Sequence, residues 1–284
     1  MEGHPTWKAL YQEGRRLLEP VALSGCNPGF EAKCLLEHVT GCTPAQLPLK
    51  GGQAASGEQV RQYMDAVAQR LGGRPLQYIL GNWEFYGLVF EVGEGVLIPR
   101  PETELLVDAA LRLGSASQKL RALDLCSGSG CVAVAIAKNR PDWQVEAVEL
   151  SPQAFGYLER NIQRNRVQVQ ARMGDALLPP PEGCYDLITA NPPYIPLGEE
   201  QELQKEVLQE PHMALFAGQD GLDFYRKLPE LYLPFLNSGG WLLLEIGWNQ
   251  GEAVQGFLLK AGYTGVEILK DLSGCDRVVL GRRA

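Results

Sequence analysis

The sequence predicts an α/β protein: a mostly parallel sheet of seven strands covered by helices on both faces, preceded by a small helical domain and a β-hairpin linker. Three features of the chain point there. Apolar residues in the first 73 positions recur at helical spacing, whereas residues 74–98 are rich in aromatic and β-branched side chains. From residue 120 onward, strand-like and helix-length runs alternate.

Trp7, Leu10, Tyr11, Leu17 and Leu18 mark a first helix. Residues 30–39 form a second around Cys34, Leu35 and Leu36, and Val60, Tyr63, Met64, Val67 and Leu71 line a third. Gly- and Pro-containing breaks separate them, including P-L-K-G-G-Q-A-A-S-G at 48–57. Such a domain, residues 1–73, is marginal alone. The stretch Q-Y-I-L-G-N-W-E-F-Y-G-L-V-F-E-V, broken by Gly81 and Gly87, reads as a β-hairpin, giving a linker over 74–98. The main domain, 99–284, opens with I-P-R-P-E-T-E-L-L-V, where Pro101 suits a first helical turn and Glu102 and Glu104 favour its positive end. Strands follow at 121–126, 144–150, 167–172, 185–190 and 240–246, and 266–269 and 277–280 close the chain as a hairpin. Helices are expected at 132–139, 152–165, 221–236 and 250–261. Alternation of this kind means right-handed crossovers, and ligands bind at the carboxyl ends of the strands.

The formal charge of −8 argues against a protein that coats nucleic acid, which needs clustered Lys and Arg to displace phosphate counterions. Apolar runs are too short to span a bilayer, and M-E-G-H-P-T-W-K resembles no secretory signal, so a cytoplasmic protein is expected. Seven scattered cysteines fit reduced thiols. Cys34, His38 and Cys42 are spaced to share a helix face, but Gly41 should end the helix first and no fourth ligand is near, so no metal site is expected.

Two stretches carry chemistry. In A-L-D-L-C-S-G-S-G-C-V-A, between strand and helix, Gly128 and Gly130 permit a tight turn and close backbone approach to a ligand. Glu149 ends the next strand about 20 residues later, well placed for a ribose diol. The loop also satisfies the loose G-x-G-x-x-A pattern of nicotinamide enzymes, which leaves a dehydrogenase open. Asp124 before the loop and Asp175 after the third strand favour S-adenosylmethionine (SAM), through its ammonium and its adenine amino group.

The second stretch is L-I-T-A-N-P-P-Y at 187–194, a strand that ends in Asn191, Pro192, Pro193 and Tyr194. A planar NH₂ group is a poor nucleophile because its lone pair is delocalised. The Asn191 side-chain oxygen and the Pro192 carbonyl are two acceptors for its hydrogens, the prolines fix their direction, and Tyr194 supplies a wall. His4, His38 and His212 all lie elsewhere in sequence, and a sulfonium donor requires no strong base.

N-P-P-Y after strand four, with D-L-C-S-G-S-G after strand one, resembles class I SAM-dependent methyltransferases acting on planar amino groups, a Rossmann-like fold. The motifs V-L-I-P-R-P-E-T-E-L-L-V, E-P-H-M-A-L-F-A-G-Q-D-G-L-D-F-Y-R and L-L-L-E-I-G-W-N-Q narrow the resemblance. With Q-Y-I-L-G-N-W-E-F-Y-G-L-V-F they are similar to the PrmC/HemK family, the peptide chain release factor N(5)-glutamine methyltransferases, from about Arg74 to Gly281. The resemblance implies methylation of the glutamine in the Gly-Gly-Gln loop of class I release factors, with S-adenosylhomocysteine as product and a helical domain that recognises the release factor.

By motif, the resemblance makes Cys126, Ser127, Gly128, Ser129 and Gly130 line the SAM site together with Asp124, Glu149, Asp175 and Ala176. Asn191 would touch both SAM and the substrate amide. Pro192, Pro193 and Tyr194, with Arg100 and Glu102 from the covering segment 99–104, would complete the glutamine pocket. Cys126 stands where the family usually has glycine, Glu149 where it has aspartate, and Ala176 where an aromatic is frequent. A thiol at Cys126 raises the expectation of redox-sensitive activity. A monomer without direct nucleic-acid or membrane binding is expected. The alternatives are a methyltransferase of exocyclic amino groups in nucleic acid, a dehydrogenase, and a non-catalytic SAM-binding module. The chain's own Gly51-Gly52-Gln53 falls in an interhelical loop and is read as a coincidence.

Overall fold

The computed structural model describes residues 4–20, 26–114, 119–180 and 183–284; Met1 to Gly3, read above for a targeting signal, lie outside the described residues. The chain forms two units, Met1–Gly81 with Gln204–Gln209, and Asn82–Leu203 with Glu210–Ala284.

The first unit is helical: α1 (Trp7–Leu17), α2 (Pro28–Thr40), α3 (Leu47–Lys50), α4 (Gly57–Leu71) and α5 (Leu76–Leu80). Local chemistry sets its boundaries. Thr6 caps α1 by accepting from Ala9 N, Asn27 caps α2 ahead of Pro28, and Ser56 and Gln59 cap α4 reciprocally. Gly41 closes α2 at φ 70°, which leaves Cys42 outside the helix that was to align it with Cys34 and His38. Tyr63 fills the centre: a Cβ on Gly14 would stand 1.9 Å from its hydroxyl oxygen, and that hydroxyl donates to the Ala32 carbonyl. Buried Arg70 grips buried Glu31 through two bonds of 2.8 and 3.1 Å and reaches Glu206 at 2.5 Å. Gly51 and Gln53 turn their carbonyls onto the first free N–H groups of α1, those of Lys8 and Trp7. The Gly-Gly-Gln tripeptide therefore has a structural use.

Residues 76–80, read above as part of the hairpin, form the short helix α5, which starts after Pro75 and is closed by Gly81 at φ 72°, whose N–H donates to the Gln77 carbonyl. The hairpin itself is β1 (Asn82–Phe85) and β2 (Leu88–Glu91), joined by Tyr86-Gly87.

The second unit continues with α6 (Glu104–Leu113), β3 (Arg121–Leu125), α7 (Cys131–Asn139), β4 (Gln144–Glu149), α8 (Pro152–Asn165), β5 (Val169–Met173) and β6 (Tyr185–Ala190). Then come α9 (His212–Leu215), α10 (Asp223–Tyr232), β7 (Leu236–Glu245), α11 (Gly251–Ala261), β8 (Thr264–Lys270) and β9 (Asp276–Arg282). The seven strands from β3 to β9 form one sheet in the order β5-β4-β3-β6-β7-β9-β8. It is parallel except where β9 runs antiparallel to β7 and β8. Side chains on its strands alternate between two cores. Leu187 and Leu243 pack with α6 and α7 residues such as Leu106 and Ile136, while Ile188, Leu242 and Leu244 pack with Tyr225 and Tyr232 of α10. Burial on both faces is why β6 and β7 read as near-continuous apolar runs. The strand order reverses between β3 and β6, so a crevice opens beyond their carboxyl ends.

Candidate active site

Register brings the two chemical stretches together. Leu125 pairs with Ala190 and Asp124 with Thr189 in the parallel ladder. The loop Cys126 to Gly130 and the motif Asn191 to Tyr194 therefore leave the sheet side by side. An open cavity lies there, lined by Asp124, Cys126, Ser127, Gly128, Ser129, Glu149, Asp175, Ala176, Asn191, Pro193 and Arg100, among others.

The glycine loop is held from below. Gly128 N–H donates to Glu149 Oε2 at 2.8 Å, and Ser151 N–H donates to its Oε1 at 2.7 Å. Cys126, Gly128 and Gly130 all have positive φ, at 55°, 55° and 81°. This is the physical reason a glycine suits position 126: a side chain in the left-handed region costs roughly 1–2 kcal/mol. A Cβ on Gly128 would meet open space, as expected of backbone that a ligand approaches. Burial pushes the Cys126 thiol well above its ordinary range, with the carboxylates of Glu149, Asp124 and Asp175 adding to it. It is a protonated, poorly nucleophilic thiol, which argues against the redox sensitivity its position first raised.

Asp124 is buried and accepts from Ser127 Oγ at 2.8 Å and Thr189 Oγ1 at 2.8 Å. Burial raises its carboxyl to about 7 against those two bonds. A buried carboxylate so held is poised for a cation. Asp175 accepts from Leu177 N at 2.8 Å and so caps the turn after β5, with buried Ala176 on the cavity wall.

The N-P-P-Y backbone is clamped on several sides. Tyr194 and Ile195 donate to the Leu215 carbonyl, and the Tyr194 carbonyl accepts from Gln250 Nε2 at 2.9 Å. Gln250 also accepts from Gly247 N at 2.9 Å, which gives the glutamine of L-L-L-E-I-G-W-N-Q its use. At Gly221, with φ 74°, a Cβ would stand 2.1 Å from the Tyr194 carbonyl oxygen. Gly221→Ala should therefore destabilise the fold by about 1–3 kcal/mol and lower turnover together, read by thermal unfolding and methyl transfer; a variant equal to wild type in both would contradict this.

Not every expected residue is part of the cavity wall. Asn191 and Pro193 line it, while Pro192 and Tyr194 are not among its lining residues. The Tyr194 ring packs toward Gly247 and the core beside α10. Arg100 lines the cavity, ion-paired to Glu210, whose other oxygen accepts from Ile98 N at 2.9 Å. Glu102 is exposed, because the 3-10 turn Pro101–Thr103 points its neighbour Thr103 inward instead. Thr103 Oγ1 takes a bond from Asn191 Nδ2 at 3.3 Å. Pro211, Met213 and Ala214 around α9 also line the cavity, so His212 is nearer the site than its sequence distance implied. Its imidazole is exposed and stacks on Phe216 with ring centres 4.4 Å apart. Sequence reasoning missed Thr103, Gln250, Gly221 and the α9 segment, although motifs quoted for the family contain all of them.

The chain is similar to known proteins over most of its length. Residues 10–81 match the family model described as PrmC N-terminal domain, and residues 102–219 match that of the methyltransferase small domain. The helical segment, which lies before the stretch from about Arg74 to Gly281 that carries the resemblance in sequence, is thus matched by a family model of its own. A protein of Thermodesulfovibrio yellowstonii named release factor glutamine methyltransferase is 41% identical over 88% of this chain and 91% of its own length. One of the same name from Neisseria gonorrhoeae is 43% identical over 90% and 93%. Among solved structures, a Pyrococcus furiosus methyltransferase matches with a TM-score of 0.53 at 21% identity, over 70% of this chain and 91% of its own. A T. thermophilus 16S rRNA methyltransferase solved with AdoMet and guanosine matches with a TM-score of 0.52 at 20% identity, over 72% and 50%. At such identities these two structures speak to the fold alone.

Proposed function

The chain belongs to the release factor glutamine methyltransferase family, and from that premise we propose that its cavity holds SAM beside Asn191 and that the side-chain amide nitrogen of a release-factor glutamine is methylated there. The observation that carries this is the ladder pair Leu125 and Ala190, which sets the glycine loop and the amide-recognising motif side by side.

The residues present fit the methyl donor. Gly128 leaves room for close approach, Glu149 presents a carboxylate to a ribose diol, and Asp124 presents one to an ammonium. Asp175 and Ala176 flank the place for an adenine. When bound, SAM supplies a methyl carbon already activated by positive sulfur. The protein's own part is to hold the glutamine amide. Asn191 Oδ1 and the Pro192 carbonyl accept its two hydrogens, which raises electron density on nitrogen and fixes its direction. The new N–C bond replaces the S–C bond, and one amide proton leaves to water.

Because Asp124 titrates near 7, its carboxylate is lost as pH falls through that value. SAM affinity should weaken on the acid side and be steady above about pH 8, which calorimetry across pH would show. Incubating the protein with methyl-labelled SAM and either a class I release factor or DNA tests the function itself. Label on the glutamine of the Gly-Gly-Gln loop is the expected result, and label on DNA alone would overturn it. The helical unit is proposed to help grip the release factor.

A further inference from the structure

One buried acid has no part in the chemistry so far. Glu245 ends β7 as the acid of L-L-L-E-I-G-W-N-Q and is 1% exposed. Ala190 pairs with Leu244 in the β6–β7 ladder, so Glu245 sits one strand over at the level of Asn191. Among the described residues its Oε2 is buried without a hydrogen-bond partner. An orphaned carboxylate oxygen at this depth is costly and calls for a reason. Its side chain takes a hydrogen bond from Thr103, the residue whose hydroxyl receives the Asn191 carboxamide.

A threonine hydroxyl has one hydrogen. While Glu245 is a carboxylate it can only accept, so Thr103 spends that hydrogen on Glu245 and offers Asn191 only a lone pair. Asn191 must then turn its NH₂ toward Thr103, which leaves Oδ1 for a substrate. If Glu245 is protonated, the constraint is gone: the acid can donate to Thr103, Thr103 can donate to Asn191, and the carboxamide can present its NH₂ to the substrate. Two donors would then face each other at the amide to be methylated.

We propose that Glu245 is a positioning residue for methyl transfer, acting through the Thr103 hydroxyl to hold the Asn191 carboxamide with its oxygen toward the substrate amide. This rests on the function proposed above. Burial raises the Glu245 carboxyl to about 7, opposed by the Thr103 bond and by Arg277. The charged and titratable groups facing it are Arg277 from β9, Arg100 and Glu102 from the segment before α6, Tyr194 after β6, Tyr225 of α10 and Cys131 of α7. Of these, Tyr194, Tyr225 and Cys131 are all pushed upward by burial and stay neutral through the neutral range.

The test is kcat against pH from 5.5 to 9 at saturating SAM and release factor, where the titration of Asp124 in SAM binding no longer shows. Wild type should lose turnover below about pH 7, and Glu245→Gln should lose that acid limb. Thr103→Val, close in size but without the hydroxyl, should lower kcat about tenfold or more with KM for the release factor little changed, and Thr103→Ser should recover both rate and limb. An acid limb intact in Glu245→Gln, or wild-type kcat in Thr103→Val, overturns the proposal. Thr103→Val keeps the question open to measurement where Glu245→Gln does not fold. Asn191→Ala is run alongside: if it also turns over normally, the functional reading has failed rather than the role of Glu245.

Discussion

Asn191→Ala is expected to reduce methyl transfer by at least about 10²–10³-fold, a loss of roughly 3–4 kcal/mol of transition-state stabilisation, as for other preorganised hydrogen-bonding groups at reacting centres. The substitution removes the Oδ1 acceptor and leaves the backbone clamps of Leu215 and Gln250 on Tyr194 in place. The fold and the Pro192 carbonyl should therefore survive. The contacts proposed for SAM through Asp124, Glu149 and the glycine loop do not pass through Asn191, so SAM binding should change by far less than turnover. Single-turnover transfer to release factor, set beside calorimetry with SAM, separates the two. A variant with normal turnover would remove Asn191 from the chemistry, and one that has lost SAM binding would make it a donor-site residue instead.

Arg70→Ala is the second large effect, and it concerns stability. Arg70 is 3% exposed and Glu31 5%, and they meet through two bonds within the helical unit. Removing the guanidinium leaves the Glu31 carboxylate buried without its cation, which costs about 3–5 kcal/mol. For a unit of this size that lowers the unfolding midpoint by more than roughly 10 °C, measurable by calorimetry. Replacing Glu31 and Arg70 together with Leu and Met should recover most of the loss, because the penalty comes from the unpaired charge rather than from any large net worth of the pair. If Arg70→Ala alone melts with wild type, the pair is not a determinant of the unit's stability.

Much of this was legible in the sequence for a definite reason. Strands buried on both faces are runs such as L-I-T-A and W-L-L-L, and helices between them keep a 3.6 period, so alternation alone predicts the sheet and its ligand end. Turn chemistry made the loop Cys126 to Gly130 and the motif Asn191 to Tyr194 visible, because each combines residues that ordinary loops do not need. What stayed hidden depends on contacts between residues far apart. Thr103 lies 88 positions before Asn191, and nothing local marks its hydroxyl rather than the carboxylate of Glu102 as the group turned inward. Glu245 sits in an apolar strand and looks like its polar end, until its strand is laid next to β6. The segment from 197 to 215 has no sustained period, so neither α9 nor its place on the cavity wall was readable.

The excursion of Gln204–Gln209 into the helical unit bears on how this protein can be taken apart. The chain passes from one unit to the other after Gly81, Leu203 and Gln209, so no single cut yields two whole pieces. A fragment beginning at Asn82 would carry Glu206 away from Arg70 and Cys26, and its complement would lack one of the two acids that meet the buried Arg70 guanidinium. Modular exchange of the helical unit between relatives therefore has to carry two stretches of sequence, and a chimera joined at Gly81 alone sets the 204–209 stretch of one relative against the helices of another.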